Sequence, residues 1–262
     1  MASLASPARA DRTPRLAGLI RPNSDGVVVP ESVLAAEVAF EDLATELATV
    51  LGPRRLGPAA TTGPLGFDLG IDIVLASIDD GAVHWQNSVD DPGSVLPVLS
   101  VQAKKGLPFG FELGAGVAHL LDSELWSVGA ALRWAFLENL GGYFPDMAIR
   151  VTLDNVIGAS DFGMLLVGSD LVISREFGLG GVTALAPYVG FSGLFVRASP
   201  NVIGFFDEGA SRPQFAAFAV KNLGAFRGVL GFRLLFPYST FSFEAVVSSG
   251  VQTYNTSLSV AF

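Results

Sequence analysis

From Gly66 to the C-terminus, hydrophobic residues recur at every second position. That is the period of a strand whose side chains alternate between two faces. The last run shows it plainly. Tyr254, Thr256, Leu258, Val260 and Phe262 share one face, and Asn255, Ser257, Ser259 and Ala261 share the other. Segmenting on this period predicts ten strands, at about 66–78, 95–104, 109–120, 125–137, 146–155, 162–174, 183–196, 225–236, 240–249 and 252–262. Each is close to the ~9–11 residues that a tilted strand needs to cross a bilayer. Residues 213–222 read either as one more strand or as the root of a long loop, so eight to twelve strands fit the pattern.

Charges sharpen the two-faced pattern. In the first strand Asp68 and Asp72 oppose Leu69, Ile71, Ile73 and Leu75. In the fifth, Arg150 and Asp154 oppose Ile149, Val151 and Leu153, and in the eighth Arg227 and Arg233 oppose Phe226, Leu230 and Leu234. A lipid-facing Arg or Lys costs about 2–4 kcal/mol at the bilayer midplane, so ionic groups should gather on the inner side of a membrane barrel. Two strands depart from the rule. The sixth puts Met164 and Leu166 on the face of Asp170, and the seventh holds Pro187, which cannot donate to a ladder and predicts a bulge.

Upstream the period changes. Residues 1–10 read as a signal-peptide remnant or disordered tail, with Ala8-Arg9-Ala10 shaped like a cleavage site but no long apolar core before it. Residues 11–65 form an N-terminal irregular segment carrying an amphipathic helix at 31–51. Glu37, Glu41, Asp42 and Glu46 fall on one side of it, and Val33, Phe40, Leu43, Leu47 and Leu51 on the other. Gly52-Pro53 ends the helix, and residues 53–65 are a Pro/Gly linker into the barrel region, 66–262.

Composition agrees with this organisation. Half of the 262 residues are hydrophobic, only 16% are charged, and Gly (30) and Phe (20) are abundant. A soluble domain carries about 25% charged residues. With no cysteine, a disulfide or thiolate metal site is excluded, and a net charge of −9 speaks against nucleic acid as a partner.

The terminal aromatic and the apolar alternation behind it, Tyr254, Thr256, Leu258, Val260 and Phe262, resemble the closing strand of bacterial outer-membrane β-barrels. That resemblance spans 66–262. It implies an all-β, antiparallel transmembrane β-barrel with an N-terminal helix, in the outer membrane of a bacterium and in contact with its lipid. It also implies insertion by the outer-membrane assembly machinery, with Tyr254, Leu258, Val260 and Phe262 as the assembly signal. The strand ending at Phe262 would finish in the periplasm, with the N-terminal segment and helix on that side and segments 79–94 and 197–224 as long external loops. Position and length of the helix also resemble the N-terminal hatch of outer-membrane hydrophobic-compound transporters.

The inner face then carries Asp68, Asp72, Lys104, Glu112, Arg133, Arg150, Asp154, Asp170, Arg227, Arg233 and Glu244. Two readings stay open. The charges pair into a network filling a narrow barrel, or they line a polar pore that passes small solutes. Small inward residues, Gly70, Gly110, Gly114, Gly116, Gly129, Ala131, Gly190 and Gly231, leave room for something, and helix 31–51 is one candidate plug, with its glutamates meeting lumen arginines. A closed barrel binding a partner through its loops is the competing function. A hydrolase would have to use His84 or His119, the only histidines. Asp79, Asp80, Asp90 and Asp91 in the first loop match no standard calcium spacing, and no cofactor or metal is expected.

Overall fold

The computed structural model describes residues 11–21, 28–52, 55–140, 144–201, 203–205, 214–216, 218–248 and 250–262. The strands in chain order are β1 (Phe67–Ser77), β2 (Val95–Gly106), β3 (Phe111–Leu120), β4 (Trp126–Leu137), β5 (Asp146–Ile157), β6 (Phe162–Ser174), β7 (Phe177–Gly180), β8 (Thr183–Pro200), β9 (Ile203–Phe205), β10 (Gln214–Ala216), β11 (Lys221–Leu235), β12 (Ser239–Ser248) and β13 (Gln252–Ala261). β1 to β6, β8 and β11 to β13 form an antiparallel ten-strand barrel, closed by the β1–β13 and β8–β11 pairings. Closure removes the free edges that a sheet would otherwise expose to lipid. Phe67 and Phe262 exchange backbone hydrogen bonds at 2.6 and 2.9 Å where the two chain ends of the barrel meet.

Two sequence ambiguities resolve here. The candidate strand at 213–222 is divided: β10 pairs with β9 in a separate two-stranded sheet, and β11 begins only at Lys221. Pro187 keeps its register against Phe232 of β11, so its own strand does not bulge there. The interruption is in the facing strand, between β6 and β7, where the Arg175 N–H donates to the Pro187 carbonyl at 3.2 Å. Proline's missing donor is tolerated because the neighbouring strand breaks opposite it.

Alternation sorts the side chains as the charges require. Leu69, Ile71, Ile73 and Leu75 of β1, and Leu258 and Val260 of β13, are exposed on the outer wall. Aromatic pairs mark its two borders: His119 stacks on Trp126 at 4.1 Å near one end, and Phe111 stacks on Trp134 at 5.8 Å near the other. Trp126 and Trp134 lie about 26 Å apart along the strand, or about 20 Å along the axis at a tilt of about 40°, close to the ~25 Å apolar band of a membrane barrel. No helix among the described residues is long and apolar enough to cross a membrane.

The inner wall has two zones. Toward the long-loop end it is apolar, with Val98, Leu120, Val156, Met164, Leu166, Leu194 and Val196 buried in one cluster with helix α1 (Pro30–Leu51). Met164 and Leu166 thus point inward as their parity demands, and the helix is what they pack against. Burial of α1 widens along its length until Leu47 through Leu51 are all buried, so its C-terminal end sits deepest. Phe40 anchors the outer half, 5.9 Å from the ring of Phe162 and 6.0 Å from that of Phe218. Each fully buried Leu or Phe stabilises by about 1.5–3 kcal/mol, so this apolar plug outweighs any single ionic contact in the barrel.

α1 lies at the end opposite Phe262, against helix α2 (Val83–Ser88) of the β1–β2 loop and the start of β11. The expected placement on the Phe262 side is therefore corrected. A 3-10 turn at Leu16–Leu19 continues the cap: Arg15 N–H reaches the Ser88 carbonyl at 2.8 Å, and Leu16 N–H reaches Asp161 Oδ2 at 2.8 Å.

Candidate functional site

Past α1 the chain turns into the lumen. Residues 55–66 run as irregular backbone from the long-loop mouth to the start of β1 at the other end. Backbone without regular structure is tolerated at membrane depth only where protein satisfies its polar groups. The lumen charges do that. The Leu56 and Gly57 N–H groups donate to Glu244 Oε2 at 2.9 and 3.3 Å, the Ala59 N–H to Ser174 Oγ at 2.9 Å, and the Thr62 N–H to Glu112 Oε2 at 3.2 Å. In the other direction Arg150 donates to the Arg55 carbonyl at 2.9 Å, and Arg133 donates to the carbonyls of Pro58 (2.7 Å) and Leu56. These partners sit on β3, β4, β5, β6 and β12, so the segment is held from most sides of the barrel.

Among the described residues, Arg55 is a lumen cation that strand periodicity could not find. It is 1% exposed. Its guanidinium lies 3.6 Å from Asp68 and 3.3 Å from Asp72, and donates to Ser242 Oγ at 3.0 Å. The eleven residues expected to face inward hold six carboxylates and five cations; Arg55 makes the cations six. That imbalance was the available signal for it, and its place in a Pro/Gly linker hid it.

All eleven expected residues do face inward. Ten are buried, and Arg233 is half-buried with its Nε enclosed. Among the described residues, Arg150 pairs with Asp170 at 2.7 Å, Arg227 lies 3.9 Å from Asp170, and Arg133 lies 3.8 Å from Glu112. Glu244 also accepts from the Tyr188 hydroxyl at 3.0 Å. Two of the small inward residues are explained by the segment. A Cβ at Gly190 would lie 2.2 Å from Leu56 Cδ2, and one at Gly70 would lie 3.3 Å from Arg55 Nη2. The glutamates of α1, in contrast, do not meet the lumen arginines. Glu37 and Glu41 bind Lys221 at 3.0 and 2.8 Å, and Glu46 accepts from Trp85 Nε1 at 2.6 Å. The Glu37 carboxyl is held below its ordinary value of 4.5 by the Ala219 N–H and by Lys221.

The histidines take separate places. His84 Nε2 lies 3.3 Å from Glu46 in the mouth, while His119 stacks on Trp126 and contacts the Leu125 carbonyl at 3.1 Å. Ser123 next to it donates to the Leu120 carbonyl at 2.8 Å instead of to a histidine. No group of metal-ligating residues forms among the described residues, and the four loop aspartates are not brought together. Tyr254, Leu258, Val260 and Phe262 all lie exposed on the outer face of β13 and its end.

No protein-family model matches this chain. Its fold is similar to that of Ail, the attachment invasion locus protein of Yersinia pestis, at 9% identity over 76% of this chain and 99% of that one, with a TM-score of 0.28. It is similar to the KdgM porin at 10% identity, over 74% and 99% of the two chains, with a TM-score of 0.33. It is similar to the translocator domain of the autotransporter NalP from Neisseria meningitidis at 8% identity, over 86% and 96%, with a TM-score of 0.42. At such identities the likeness is one of fold alone. The closed antiparallel barrel, its apolar belt and its charged axis are those of a bacterial outer-membrane β-barrel.

Proposed function

We propose that this outer-membrane barrel is a self-plugged channel for passive passage of small solutes, shut at rest by helix α1 and residues 55–66 of its own chain. The observation that carries the reading is the seating of segment 55–62. It fills the lumen, yet polar contacts to Glu112, Arg133, Arg150, Ser174 and Glu244 hold it there, with Leu56 as its one large apolar side chain. Polar contacts of this kind exchange for water at modest net cost, about 0.5–1.5 kcal/mol for each neutral bond and about 1.5–3 where one partner is charged. A segment held mainly by them can leave a polar tunnel behind. Short turns belong on the periplasmic side of this class and long loops outside. By that rule Phe262 is periplasmic, and α1 faces outward with the loop at 78–94 and the ends of β8 and β11 at Pro200 and Lys221.

The chain's lack of cysteine gives a direct test. Ala59→Cys with Ser174→Cys places a disulfide across the 2.9 Å contact between segment and wall. Refolded full-length protein in a planar bilayer should show conductance steps that vanish on oxidation and return on reduction. Identical traces in both redox states would remove the plug reading. A second reading is favoured by Leu34 and Val38, which are 63% and 60% exposed one turn apart on α1. In that case the barrel is permanently closed and binds a partner at its mouth, and no conductance would be seen in either state of an intact barrel.

A further inference from the structure

The outer face of the wall strands carries two charged side chains among the described residues, Lys105 and Arg197. Lys105 stands at the Phe262 end and donates to the Leu65 carbonyl at 2.9 Å. Arg197 stands on β8 near the long-loop end, exposed on the same face as Phe191 and Phe195. It makes no hydrogen bond or ion pair among the described residues. Asn222 of β11 is its register partner and is exposed on the same face. Registers fix the depth of Arg197. The cross-strand row that begins at Trp134, near one aromatic border, passes Phe191 and Gly228 and ends at Ser77, at the far end of β1. Rows therefore climb toward the long-loop end in chain order, by about 3 Å per strand for strands ~4.8 Å apart and tilted by about 40°. Arg197 shares its row with Val128, two residues inside Trp126, and lies three strands further on. That sets it about 4 Å beyond the Trp126 border, at headgroup depth.

Below Arg197 the lipid-facing wall is notched. Ser169, Gly193 and Gly228 form the floor, and Ile149, Phe191 and Phe226 rise around it. The hollow measures about 670 Å³. Arg150, Asp170, Ser192 and Arg227 back it from the same strands, but their side chains are engaged in the lumen. There Arg150 pairs with Asp170 at 2.7 Å, and Arg227 donates to Ser192 Oγ at 2.7 Å. Gly193 is four residues from Arg197 on β8. That is about 10 Å down the barrel axis, within the ~15 Å of one leaflet's hydrocarbon. An unpaired cation at headgroup depth thus stands over an apolar trough at acyl-chain depth.

We infer that this face holds one lipid with an anionic phosphate headgroup, its phosphate on Arg197 and Asn222 and an acyl chain in the notch. A guanidinium matches phosphate oxygens with two parallel donors, and the amide beside it adds a third. The periplasmic placement of Phe262 assigns the site to the outer leaflet. The site itself depends neither on that placement nor on the plug.

The test is native mass spectrometry of the refolded full-length chain, released from detergent after addition of dimyristoyl phosphatidate or of dimyristoyl phosphatidylcholine. One phosphatidate should remain bound, at least tenfold more tightly than the zwitterionic lipid with the same chains. Inorganic phosphate should not displace it. Arg197→Gln should abolish the preference, and Arg197→Lys should keep part of it. A Cβ at Gly228 would meet nothing within 4 Å. Gly228→Leu therefore fills the notch without straining the wall, and it should weaken both lipids several-fold. The gel-mobility shift on heating shows that each variant is folded. An unchanged preference in Arg197→Gln, displacement by inorganic phosphate, or affinity untouched by Gly228→Leu overturns the inference. So does a dimer in place of the lipid adduct, which would assign the notch to a second copy of the chain. Lipid binding needs no open pore, so the disulfide test of gating stands or falls separately.

Discussion

Arg55 shows how one side chain ties the linker to the wall. Its charge offsets Asp68 and Asp72 at once, and both carboxylates are buried. Asp68 also accepts from Ser259 at 2.8 Å, and Asp72 from Ser100 at 3.1 Å and from Gln102. Removing the cation takes away the ion-pair partner that the two enclosed carboxylates share, leaving Asp72 with its neutral donors and Asp68 with Ser259 and the more distant charges of Lys104 and Arg233. Breaking a buried pair by deleting one partner costs about 3–5 kcal/mol. Arg55→Ala should therefore lower the urea midpoint of the refolded barrel by a corresponding amount, and should raise open probability in the bilayer. Arg55→Lys should recover less than the full loss, because a point charge cannot serve Asp68, Asp72 and Ser242 together. An unchanged midpoint in Arg55→Ala would mean that the segment is not anchored through this residue.

At the scale of elements, α1 behaves as a cork with a polar rim. Its deep end is buried on all sides, while Glu37 and Glu41 at the shallow end hold Lys221. The depressed Glu37 carboxyl fixes the sign of a pH effect. Because its folded value lies below 4.5, its contribution is complete above that pH and is lost as the pH falls through the folded value. The thermal midpoint of the native chain should exceed that of Glu37→Gln near neutral pH, and the gap should close in acid as the pH falls through the lowered folded value. A gap that persists in acid would show that the carboxylate contributes through packing and not through its charge. The helix itself was legible in the sequence, since its two faces repeat at 3.6 residues. Its location was not. Phe40, Leu43 and Leu47 demand an apolar partner without saying which, and Met164 and Leu166 looked like errors of pattern until the helix filled the space between them.

For the whole molecule, the barrel separates two solvents. Outside, Leu69, Ile71, Leu258 and Val260 meet hydrocarbon; inside, ionic groups serve a backbone that has no ladder of its own. Phe262 lies at the seam, 75% exposed, with its ring 5.4 Å from that of Phe67. If the assembly machinery reads this residue, Phe262→Ala should sharply reduce the yield of barrel in the outer membrane of cells. Refolding into detergent, followed by the shift in gel mobility on heating, should stay close to that of the native chain. An equal defect in both measurements would make Phe262 a clasp for the seam and not a signal.

Local periodicity by itself located the wall strands, with their number open between eight and twelve, the faces on which Asp68, Arg150 and Arg233 lie, and the existence of helix 31–51, because a strand's or helix's repeat is written in neighbouring residues. Only closure of the barrel decided what lies within it. The occupant of a lumen is chosen by shape and charge contributed from many strands at once, so nothing near Arg55 or Leu56 in the chain announces that they would fill the space left by Gly70 and Gly190.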